Sequence, residues 1–346
     1  LMLAAGIIAH HQKLSALLAA GILLLPATQY PATTWWSKPD LDREYVLSLD
    51  VEHYFGNIQK MRKHLETDRQ ILWVTYYRNL YNATHPSEIN SPVSLSRNLL
   101  AWNQPGTNGL ILPVNPSASF LSILFANELW FTLGDMTMAE HCAMLSMIFS
   151  PRNSGSRMIK RLAEINLVNG DDEAALKYLR ILDKTLLHKS WAEKRIPGQQ
   201  TPRVKEWLEK KRRDIPTQDQ LRSGNDAVTS LRNLVASNAG NLRAYEYLLC
   251  YHLLSKDLRS FVEDYVPGKV SSPIFAEALL IHLARQGNIR AEELIKYQIP
   301  VEIAKEFADY TRIYEAKDTS LKEKYGKTYW FYYHFATTEP GKESKP

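Results

Sequence analysis

Cysteine is nearly missing from this chain. Cys142 and Cys250 are the only two in 346 residues. Each lies in an apolar stretch with helical spacing, so both are expected as buried, unpaired thiols; no disulfide framework or cysteine-based zinc site can be built from them. A strong excess of charge of one sign is also missing. The net charge of +5 is small for this length and calls for no nucleic-acid partner. Long alternations of apolar and polar residues are rare after Ser37, which argues against a sheet. The short signatures of catalysis are missing too: no glycine-rich phosphate loop, no His-Glu-x-x-His, no Cys-x-x-Cys and no Gly-x-Ser-x-Gly. No cofactor or metal site is expected. The histidines form no i, i+4 pair, and Glu140-His141-Cys142 places consecutive helical residues in different directions, so it reads as a packed helix.

What the chain does have is a recurring turn. Six of its fifteen glycines are followed by Asp or Asn, at Gly56, Gly134, Gly170, Gly224, Gly240 and Gly287. Glycine accepts the left-handed conformation that ends a helix, and Asp or Asn caps the next one. Each step therefore predicts a tight helix-turn-helix, and the set predicts an all-α fold of stacked hairpins. Helices are expected around Val46–Phe55, Ile58–Leu65, Ile71–Tyr81, Leu95–Trp102, Arg203–Arg213, Asn225–Ser237, Leu242–Leu254, Pro273–Arg285 and Val301–Glu315. Residues 183–219, with Pro197, Pro202 and Pro216, read as an insertion between repeats. Their Lys-Lys-Arg-Arg helix reads as a solvated face. The terminal run Tyr329–Phe335 reads as a bulky last helix packing back as a cap.

The repeat signal is clearest around Gly134 and Gly170, which lie 36 residues apart. Ile123, Ala126, Trp130, Gly134, Ala139 and Ala143 fall where tetratricopeptide repeats place their packing residues. So do Ile159, Leu162, Ala163, Gly170, Ala175, Leu179 and Leu182. The expected architecture is a right-handed α-solenoid of tetratricopeptide-like hairpins. In that register Glu128, Lys160, Glu164, Glu246 and Glu277 point into a concave groove suited to an extended polar or protein partner.

The N-terminus carries a second expectation. Leu14 to Trp36 is long enough to span a bilayer, its Trp pair suits the interface, and Lys13 precedes it. Residues 14–34 are expected to cross a membrane, Leu1–Ala9 to be the tail of an earlier helix, and residues 37–335 to form an extracytoplasmic helical domain with a disordered tail at 336–346. A cleaved signal peptide beginning at Met2 and a buried hairpin of a soluble protein are the rival readings.

The runs Leu162-Ala163-Glu164, Ala174-Ala175, Lys177-Tyr178-Leu179 and Leu253-Leu254-Ser255-Lys256-Asp257-Leu258 resemble an uncharacterised family of bacterial multi-pass membrane proteins. Thr328-Tyr329-Trp330-Phe331-Tyr332-Tyr333 adds to the likeness. The resemblance implies spanning helices followed by a tetratricopeptide-like domain in a bacterial membrane setting; with Lys13 on the cytoplasmic side, the location expected is the inner membrane with that domain in the periplasm. It implies no activity and no functional residues. The function expected is a membrane-anchored scaffold that binds a protein partner. The alternative is an all-α enzyme, for example one acting on glycans, with a site assembled from distant residues.

Overall fold

The structure is a computed structural model that describes residues 40–85, 95–114, 119–150, 155–217 and 226–336. The expected span at 14–34, and the expected tail beyond residue 336, lie outside these. Among the described residues every regular element is helical, and no helix is long and apolar enough to cross a membrane.

The chain divides into two compact units, Leu1–His64 and Leu65–Pro346. In the first, α1 (Leu41–Tyr54) starts at Asp40, whose carboxylate accepts the Arg43 N–H at 3.0 Å. It ends at Gly56, which adopts φ +70° before α2 (Ile58–Leu65) begins. The Tyr45 hydroxyl donates to the His64 carbonyl.

The second unit opens with α3 (Leu72–Thr84), the short α4 (Leu95–Asn98) and a 3-10 turn at Gly106–Gly109. Helix α4 stops well before the expected Trp102. Two hairpins follow: α5 (Phe120–Leu133) with α6 (Met136–Phe149), and α7 (Ser156–Asn169) with α8 (Asp172–Asp183). Both turn as the sequence indicates. Gly134 and Gly170 take φ +90° and +81°, while Asp135 and Asp171 accept the N–H groups of Met138 and Ala174. Ile123, Ala126, Trp130, Ala139 and Ala143 are buried, as are Leu162, Ala163, Ala175, Leu179 and Leu182. Helix α6 packs on α7, so the two hairpins abut. Ala163 and Ala143 are the small residues at these contacts, around which Leu179, Leu182, Met158 and Leu162 close.

The segment expected as an insertion supplies α9 (Lys189–Glu193), which packs on α8, and α10 (Pro202–Arg212), which packs on α7. The remaining helices are α11 (Ala227–Ser237), α12 (Leu242–Leu254), α13 (Leu258–Asp264), α14 (Pro273–Arg285), α15 (Ala291–Lys296), α16 (Val301–Glu315), α17 (Leu321–Tyr325) and α18 (Tyr329–Phe335).

Not every turn follows the glycine rule. Gly240 is not left-handed. The chain turns there on Asn238, whose amide donates to the carbonyls of Arg213 and Ile215 while its oxygen accepts the Gly240 N–H. Conversely Lys256, Gln298 and Lys317 take positive φ without being glycine. In each the following N–H reaches the carbonyl five residues back, as it does after Gly56, Gly134, Gly170 and Gly287.

Helix α18 packs back on α14 as the aromatic run suggested. Its Tyr329 and Tyr332 hydroxyls donate to the carbonyls of Leu253 and Leu254 at 3.0 and 2.9 Å. These are the last residues of α12, whose carbonyls have no partner within their own helix.

Candidate functional site

A cleft of about 600 Å³ opens at the N-terminus of α14. Ser271-Ser272-Pro273 starts that helix. Proline suits the first helical position because its φ is preset and no N–H is needed there. The cleft walls come from Ser96, Arg97 and Leu100 at α4, from Tyr297 and Pro300 ahead of α16, and from Ile303 within it; Lys327 stands at the edge. Its lining is mixed: aromatic and aliphatic surface, two cations, and the Glu277 carboxyl. A smaller cavity of about 160 Å³ lies beside Trp130, Asp226 and Tyr251.

Of the five residues expected in a groove, Glu277 lines this cleft and Glu246 bonds to its wall residue Ser96. The Glu277 carboxylate accepts the backbone N–H of Tyr329, the first residue of α18, and the Trp330 indole N–H donates to the Glu277 carbonyl at 3.0 Å. Burial pushes the Glu277 carboxyl up to about 7; the Tyr329 N–H opposes this and the nearby Glu306 charge adds to it. Glu246 is buried behind the wall. Its Oε1 accepts the Ser96 N–H at 2.8 Å and the Ser96 hydroxyl at 2.6 Å. Each carboxylate therefore caps the N-terminus of a short helix from a distant part of the chain, where the backbone N–H groups are unpaired and the dipole favours negative charge.

The other three lie elsewhere. Glu128 does not stand on an open surface as the repeat register suggested. It is buried, with Arg157 at 2.8 Å on one oxygen and Arg161 at 2.5 Å on the other. Arg161 also reaches Glu164 at 3.3 Å and stacks its guanidinium 3.8 Å from the Phe131 ring centroid. Helix α10 closes this cluster, with Lys211 over the same ring; burial first, then repulsion from Arg161 and Arg243, brings its ammonium down to about 8. The register errs because it assumes open space inside the first helix, and α10 packs on α7 there. Lys160 lies over the Trp191 ring, which Arg195 covers as well. Glu128 and Glu164 are thus joined through Arg161.

Sequence reasoning missed Ser96, Arg97, Tyr297 and Lys327. They come from short or irregular segments whose periodicity carries no signal. The helices beginning at Leu95, Pro273 and Val301 were legible, but not that they meet. Among the described residues no group of three or more His, Cys, Asp or Glu side chains is placed to hold a metal ion.

Neither a curated protein nor a solved structure gives a match to the chain. A family model matches residues 3–336, nearly the whole length. The chain therefore belongs to DUF6057, a family of unknown function.

Proposed function

We propose that this protein is a membrane-anchored helical-repeat scaffold that binds a protein partner through the cleft at α14. The observation that carries the reading is the cleft itself. Its volume falls in the range of roughly 300–1,000 Å³ typical of small-molecule sites, which is room for side chains of an extended segment, and its lining combines apolar walls with a few polar groups. An extended segment with an acidic group suits Arg97 and Lys327, and an apolar side chain suits the space between Pro300 and Ile303. The tetratricopeptide-like arrangement is supported by two abutting hairpins with equivalent buried sets, 36 residues apart. Anchoring through residues 14–34 in the bacterial inner membrane, with the domain in the periplasm, is supported by the apolar length, Trp35-Trp36 and Lys13.

Photo-cross-linkers at Leu100 and Ile303 in the full chain test the cleft. In cells that carry the protein natively, both positions should join one and the same protein, and the double charge reversal Arg97→Glu/Lys327→Glu should remove that product. Cross-links from Glu164 alone would return binding to the repeat groove. Alkaline phosphatase fused at about residue 40 tests the topology: it should be active, and activity of a cytoplasmic reporter alone would sink that part.

One observation favours the enzyme reading as a second choice. The Glu277 carboxyl lines the cleft and is held up to about 7, chiefly by burial, with the Glu306 charge adding to the rise. Glycan hydrolysis by the chain, lost in Glu277→Gln, would decide for it.

A further inference from the structure

We propose that the turn between α8 and α9 is a lipid-contact tip that lays Leu186 and Leu187 among the acyl chains of an anionic bilayer surface. These two neighbours are 96% and 85% exposed, the highest values for any large apolar side chain among the described residues. Such a pair facing water is unfavourable unless something covers it. The turn holds them outward. The Thr185 hydroxyl donates to the Leu182 carbonyl at 2.7 Å and accepts the His188 N–H at 3.2 Å, while the Lys189 N–H donates to the Thr185 carbonyl. Beneath, Leu182, Leu179 and Ala192 are locked in one core cluster. Two leucines therefore project from a fixed base.

The surroundings choose the occupant. Lys184 and Lys189 flank the pair, and Lys177, Arg180 and Lys194 are exposed nearby on the flanking elements. Lys189 is tied only loosely, 3.9 Å from Glu193. Residues 177–213 hold twelve Lys and Arg against four Asp and Glu, so this stretch alone is more basic than the whole chain at +5. A nucleic acid would satisfy the cations and leave the leucines in water. A bilayer with anionic headgroups satisfies both, the apolar tip entering the acyl boundary and the lysines staying at the phosphates. The proposal goes beyond the cleft reading and does not depend on it.

The test uses the full chain with Leu187→Cys carrying an environment-sensitive dye. Cys142 and Cys250 are fully buried, so the introduced thiol is the one that reacts. The labelled chain is floated with phosphatidylcholine vesicles that contain or lack phosphatidylglycerol and bear a spin label high on the acyl chain. Quenching should be several-fold stronger with phosphatidylglycerol, should fall in high salt, and should be missing from a dye at the exposed position Glu292→Cys. A chain that floats with its Leu187 dye unquenched overturns the tip and leaves the N-terminal anchor standing. A chain that does not float overturns both. Equal quenching in both vesicle types, or protection of the dye by an oligonucleotide instead, also overturns the proposal.

Discussion

Gly134 and Gly170 do the same job by backbone angle but not by surroundings. A side chain at Gly170 would meet nothing within 4 Å, whereas a Cβ at Gly134 would lie 2.3 Å from the Asp214 carbonyl oxygen. Gly170→Ala should therefore lose only the left-handed preference, about 1 kcal/mol, while Gly134→Ala adds a backbone clash and should lose about 3 kcal/mol. Denaturant melts of the two variants check this, and equal losses would refute it. That these glycines end helices was legible because the signal is local. That Gly134 also makes room for a chain segment eighty residues away was not. The left-handed turns at Lys256, Gln298 and Lys317 were illegible for the opposite reason: no glycine marks them, and the same hydrogen-bond closure forms on ordinary residues.

At the scale of elements, two short helices are capped from outside. Helix α18 starts against Glu277, and the cap carries a pH dependence. The native carboxyl is raised from 4.5 to about 7, so the folded protein holds a proton there that the unfolded chain releases earlier. The stability this group contributes is greatest below about 4.5 and falls as pH rises toward 7. Glu277→Gln keeps an oxygen for the Tyr329 N–H and removes the titration. Thermal midpoints followed against pH should coincide for wild type and variant near pH 4, with the variant higher at pH 8; parallel curves would show that Glu277 does not titrate in this window. The sequence placed Glu246 and Glu277 on the right helices but did not give their partners. Ser96 lies 150 residues from Glu246 and Tyr329 lies 52 from Glu277, and no local period reports such distances. The hairpins were readable because their contacts are between neighbours in the chain; the cleft was not, because its walls meet only after α4 has packed on α12 and α14.

Within the second unit, one junction gathers several segments. Asn241 caps α12 through the Ala244 N–H at 2.9 Å, and its amide donates to the carbonyls of Leu133 and Asp214, both at 2.7 Å. Next to it, Arg243 donates to the carbonyls of Ala83 and Thr132 and reaches the Asp214 carboxylate at 3.2 Å. Asn241→Ala removes a cap and leaves two carbonyls short of a donor, so about 3 kcal/mol should be lost in one cooperative transition. Two separated melting steps would show that the repeat pair folds independently of α12. The junction also bears on ancestry. In an open array each repeat touches only its neighbours, so a unit can be duplicated or deleted without disturbing the rest. Here the turn of the first hairpin, the end of the segment carrying α10 and the start of α12 share hydrogen bonds. Adding or removing a hairpin between residues 134 and 241 would pull these three points apart. A change in the number of hairpins there would therefore break the hydrogen bonds that Asn241 and Arg243 make to Leu133, Thr132 and Asp214.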